Sequence, residues 1–137
     1  MNILPSGLPD HVDDAEEIAR LISFSNQVAA SGCIKPSAFM PNPKTMDKSV
    51  FRYGATNLPA IWQAAKTHLP SSPIHGVAIC LAKSVREAQL EVDASEPPDR
   101  HANIVNWPCL GTDPEADKAI WKERALVIAS KATFHPV

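Results

Sequence analysis

A chain of 137 residues with 45% hydrophobic and 20% charged side chains has the balance of one globular domain, which excludes a disordered or fibrous protein. A net charge of −2 excludes nucleic-acid binding by broad phosphate neutralisation, and no apolar run approaches the ~20 residues that span a bilayer. Cys33, Cys80 and Cys109 are odd in number and never form C-x-x-C, and the N-terminus lacks a signal-peptide pattern, which points to a cytoplasmic protein.

Residues 1–12, punctuated by Pro5, Gly7 and Pro9, read as an extended lead-in. From about Asp13 to Phe24 the spacing of Ala15, Ile18, Leu21 and Ile22 predicts a helix, with Asp13 or Asp14 as cap and Glu16 and Glu17 at its positive end. Pro36 and Pro41 bar a helix over Cys33–Pro41, which reads as an edge strand. Lys48–Tyr53 alternates as a strand, and Asn57 precedes a helix over Leu58–His68 whose Pro59 is tolerated in the first turn. The apolar run Gly76–Ala82 has the length of a central strand. A short helical piece near Ser84–Ala88 and a strand over Gln89–Asp93 follow. The chain then enters a proline-rich polar stretch, Glu96–Cys109, too irregular for a plain helix or central strand. Thr112-Asp113-Pro114-Glu115 is a capping-box pattern, and the helix it opens runs to about Phe134. Ile120, Val127 and Phe134 form one apolar row, and Trp121, Ala125, Ile128 and Ala132 a second. The expected fold is α+β: a mixed or antiparallel sheet of about four to five strands, packed against this long C-terminal helix and two further helices.

Chemistry concentrates in the polar stretch. His101 and Asn103 stand two residues apart, so on a strand they share a side, with Asp99 in line behind them. A carboxylate, an imidazole and an amide together can orient, protonate and hydrogen-bond a substrate; the alternative is that they pin an irregular loop. Cys109, just before the last helix, is either a thiol activated by the helix N-terminus or a small hydrophobe. Arg52, with Tyr53 at a strand end, offers a clamp for phosphate or carboxylate, or a solvated charge. Trp62 and Trp121 read as core. Trp107, flanked by Asn106 and Pro108, reads as a part-exposed interface anchor, with Arg100 and Asp99 nearby. His68, His75, His101 and Cys109 show no metal-ligand spacing, and five glycines form no phosphate-binding loop, so neither metal nor cofactor is expected.

Two blocks carry a resemblance. Ile34–Pro41 leading to Ser49-Val50-Phe51-Arg52, and Pro97-Pro98-Asp99-Arg100-His101-Ala102-Asn103-Ile104-Val105-Asn106-Trp107-Pro108, resemble stretches of a family of small bacterial proteins without an assigned activity. The resemblance covers most of the chain from about Ile18 and implies a setting among mobile-element or phage-defence genes, with no catalytic residue to carry over. His101-x-Asn103 followed by Cys109-Leu110 is similar to the His-Pro-Asn and cysteine region of ubiquitin-conjugating enzymes, but Ala102 replaces the proline and the gap to the cysteine is short. The leading expectation is an accessory or regulatory subunit that binds a protein partner through Trp107, Arg100, Asp99 and Tyr53, away from membranes. The alternative is a hydrolase or transferase with His101 as general acid/base and Asn103 and Arg52 positioning the substrate.

Overall fold

The computed structural model describes residues 2–109, 111 and 113–137, and its centre is a six-stranded antiparallel sheet in an α+β domain. The strands are β1 (Glu17–Ile22), β2 (Lys48–Phe51), β3 (Gly76–Leu81), β4 (Glu91–Ala94), β5 (His101–Val105) and β6 (Thr133–Pro136). They lie in the order β4-β5-β2-β1-β3-β6. The helices are α1 (Leu58–His68), α2 (Ala82–Glu87) and α3 (Pro114–Lys131). Six strands exceed the expected four to five: two form where helix was expected, a third, β5, runs between β4 and β2 inside the stretch read as too irregular for a central strand, and the strand expected over Cys33–Pro41 does not form.

The first of these is β1. The segment predicted to be a helix from about Asp13 to Phe24 is instead a strand bound on both sides, by β2 at Ala19↔Phe51 and by β3 from Glu17↔Leu81 to Ile22↔Gly76. A strand covered on both faces needs apolar residues at neighbouring positions, so Ile18, Ala19, Leu21 and Ile22 mimic a helical stripe while serving two cores. The second is β6. Helix α3 stops at Lys131, and Phe134, expected on its apolar row, lies in β6 opposite Ala78. Gly76 makes room there: a Cβ would sit 2.5 Å from the His135 carbonyl oxygen and 2.6 Å from the Phe134 ring.

Cys33–Pro41 is not an edge strand. Pro36–Ala38 makes one 3-10 turn, with Phe39 N donating to Pro36 O at 2.9 Å, and drops Ala38 and Phe39 into the core. The lead-in folds back rather than staying extended, with Ile3 bridged to Pro9 and Val12 buried. Asp113 caps α3, its Oδ1 accepting from Glu115 N at 3.0 Å; the expected role of Thr112, like Leu110 of the Cys109-Leu110 pair, lies outside the described residues.

Alternation along the strands divides the core. Ile18, Ile22, Val50, Ala78, Val92, Ala102 and Ile104 meet the Trp121, Ala125, Ile128 and Ala129 row of α3 and Val85 of α2. Each large side chain so buried contributes about 1.5–3 kcal/mol. On the other face, Ala19, Leu21, Phe51, Val77 and Ile79 pack under Ile61 and Ala65 of α1, with Trp62 only half-buried beside them. Helix α1 covers the central strands and leaves the β5 side of that face open. No helix among the described residues is long and apolar enough to cross a membrane.

Candidate functional site

Strand β5 alternates in burial, with Ala102 and Ile104 inward and His101, Asn103 and Val105 on the open face. His101 and Asn103 therefore share a side, as their spacing requires. Asp99 does not join them: it is exposed in the turn that His101 N closes on Pro98 O at 3.1 Å. Arg100 at φ 66° and Asn106 at φ 71° bracket the strand in left-handed conformations, so the chain enters and leaves it sharply.

The register Phe51↔His101 and Ser49↔Asn103 puts Ser49 diagonally across from His101. Ser49 Oγ lies 2.5 Å from His101 Nε2, while His101 Nδ1 lies 2.9 Å from the Ser95 carbonyl oxygen. A carbonyl oxygen only accepts, so Nδ1 carries the proton and donates to it. That leaves Nε2 as acceptor for the Ser49 hydroxyl. Ser95 N in turn donates to His101 O at 2.9 Å, which fixes the Ser95 carbonyl as a rigid orienter. The imidazole stands edge-on to Phe51 with centroids 5.5 Å apart, and Phe51 stacks on His68 at 5.8 Å. The ring is thus held from three directions.

These groups line a cleft of about 430 Å³ whose walls include Arg20, Ser49, Phe51, His68, Pro98 and His101. A second hollow of about 320 Å³, beside Trp62, Leu69 and Ile74, holds no paired nucleophile and base. Arg20, from β1, donates Nη1 to Ser49 O at 3.0 Å, and burial pulls its pKa down to about 10. Asn103 stands on the open face directly opposite Ser49 with no side-chain hydrogen bond among the described residues.

No family model, curated protein or solved structure matches this chain.

The remaining candidates sit elsewhere. Arg52 is not at a solvated strand end; its side chain is 0% exposed and clamped to Glu16, with Nε–Oε1 at 2.7 Å and Nη2–Oε2 at 2.9 Å. Its Nη1 and Nη2 also donate to the carbonyl oxygens of Pro9 and His11, at 2.7 and 3.3 Å. Such a guanidinium ties the lead-in to the sheet and spends four of its five N–H donors inside the protein. Arg100 donates to Arg52 O at 3.0 Å and lies 4.9 Å from the centroid of the Tyr53 ring, so those two reinforce the same strut. Trp107 is 5% exposed, and its Nε1 donates to Ile104 O at 2.9 Å; it is core, not the exposed anchor expected. Cys109 is exposed, and both ring nitrogens of His101 are engaged by other groups, so no thiol–imidazole pair forms. Among the described residues no three His, Cys, Asp or Glu side chains cluster to hold a metal ion.

Ser49 and Arg20 were not among the candidates read from the sequence. The signal for Ser49 is its place on an alternating strand, but its link to His101 depends on a strand pairing across 52 residues. Arg20 was hidden by the helical reading of its segment.

Proposed function

We propose that this chain is a hydrolase or transferase in which Ser49 is the nucleophile and His101 its general base. The observation that carries the reading is the hydrogen-bonded line Ser49 Oγ, His101 Nε2, His101 Nδ1, Ser95 O, at 2.5 and 2.9 Å, on the wall of an open cleft. An adjacent base whose second nitrogen is held by a third group is the arrangement that activates a hydroxyl nucleophile. In the forward step the Ser49 oxygen attacks an electrophilic acyl carbon and its proton passes to Nε2. The imidazolium then gives that proton to the leaving group as the acyl–oxygen or acyl–nitrogen bond breaks. Water or a second acceptor, deprotonated by the same nitrogen, releases the acyl group and restores Ser49. The Asn103 amide, across the ladder from Ser49, is available to a bound substrate. Arg52 has no part in this scheme. A partner-binding role as an accessory subunit would need a surface other than the buried Trp107.

The test is labelling by a small neutral sulfonyl fluoride, followed by peptide mass spectrometry. Modification is expected at Ser49 and should fall by about two to four orders of magnitude in His101→Ala, whose fold is checked by circular dichroism. A protein that stays unlabelled, or is labelled equally with and without His101, would sink the reading.

A further inference from the structure

The cleft beside Ser49 contains a positive charge that the protein itself leaves uncompensated. Arg20 lies within the central strand β1, where burial lowers its pKa to about 10, and no carboxylate pairs with it among the described residues. Nη1 bonds Ser49 O, but Nε is buried with no hydrogen-bond partner. The acid on its own strand, Glu17, lies against Gly54. Lys48 deepens the imbalance: burial, and then the charge of Arg20, push its amine down to about 8. The guanidinium groups of Arg52 and Arg86 are treated differently. Arg52 holds Glu16, and Arg86 holds both Asp14 and Glu91 at 2.7 Å.

A desolvated guanidinium with unspent donors is costly unless a counter-charge arrives, and its planar fork matches carboxylate and phosphate oxygens. Leu21, Phe51, Leu69 and Pro98 give the wall an apolar part, and about 430 Å³ admits a small organic body attached to the anion. We infer that the ligand of this cleft carries an anionic group, a carboxylate or a phosphate, that docks on Arg20 with its apolar part against Phe51. As a statement about the substrate, this rests on the Ser49–His101 reading; as a statement about binding, it stands on Arg20. With the anion at Arg20, the acyl group to be attacked lies toward Ser49, and the cation discriminates against neutral esters.

Binding is measured by titration calorimetry on Ser49→Ala, which cannot turn over, with benzoate, phenyl phosphate and benzyl alcohol as probes. At least one anion is expected to bind at least about tenfold tighter than the neutral alcohol, and Arg20→Gln in that background should remove the preference. Which anion wins distinguishes a carboxylate ligand from a phosphate. Equal binding of benzyl alcohol, an anion preference that survives Arg20→Gln, or no binding at all would overturn the inference. The comparison of the three probes needs no Arg20 variant, so a failure of Arg20→Gln to fold leaves it decisive. Anion preference without Ser49 labelling would refute the catalytic reading alone, whereas labelling without anion preference would refute this inference alone.

Discussion

Replacing Glu16 by Gln tests whether Arg52 is a strut. Arg52 is 0% exposed and Glu16 24%, so the carboxylate is the member of the pair that water can reach. Glu16→Gln keeps the shape but turns an amide donor toward a guanidinium donor and leaves a buried cation with the Pro9 and His11 carbonyls, one neutral amide oxygen and the Glu96 carboxylate farther off. Breaking a buried pair by removing one partner costs about 3–5 kcal/mol, and the two carbonyl bonds that remain put this case near 3 kcal/mol. Arg52→Met removes more hydrogen bonds yet should cost less, about 2 kcal/mol. The freed carboxylate returns to water, the methionine refills much of the volume, and the penalty is chiefly that of two unpaired carbonyl oxygens. In the Arg52→Met background, Glu16→Gln should then be nearly neutral. The assay is urea unfolding at pH 7 of the four proteins in the cycle, read as midpoint and slope. Against a total stability of roughly 5–15 kcal/mol these losses are large. A Glu16→Gln cost below about 0.5 kcal/mol would mean that the guanidinium is solvated, and the strut reading would fail.

Two further outcomes are expected. Lys48 keeps its proton up to 10.5 when unfolded but only to about 8 when folded, so between those values the unfolded chain binds more protons and stability rises with pH. Lys48→Met should remove that part of the rise and stabilise the protein at pH 7 by up to about 2 kcal/mol, allowing for the water that reaches the half-buried amine; denaturation series at pH 7, 8 and 10 measure it, and identical slopes in both proteins would contradict it. Burial pushes the Cys80 thiol up to about 12, while Cys33 and Cys109 are exposed. A disulfide reagent at pH 8 should therefore titrate two thiols in the native protein and the third only after denaturant, and three fast thiols would contradict the burial of Cys80.

The Ser49–His101 contact is where local reading and tertiary structure divide most sharply. Helix α1, strands β2 and β3 and the start of α3 were legible because their signals are local: a proline in a first turn, an alternating run, an acidic cap. The shared side of His101 and Asn103 followed from the two-residue period of a strand. The partner of His101 did not, because register is set by pairing between β2 and β5, far apart in sequence. Trp107 looked exposed among Asn106 and Pro108, but the chain turns at Asn106 and aims its indole at Ile104 O. The same limit misread β1, whose apolar residues serve two faces at once, and β6, where the Lys131–Thr133 junction has no glycine stop to read.

By itself the sequence determined the class of the fold, the elements β2, α1, β3, α2, β4 and α3 and the stretch in which the polar chemistry lies, since periodicity, caps and proline act over a few residues. The tertiary structure alone decided the sheet order, the conversion of Arg52 into a strut and the meeting of Ser49, His101 and Arg20 in one cleft. Those outcomes depend on which distant strands share hydrogen bonds and which charges find a counter-charge, and no local pattern encodes either.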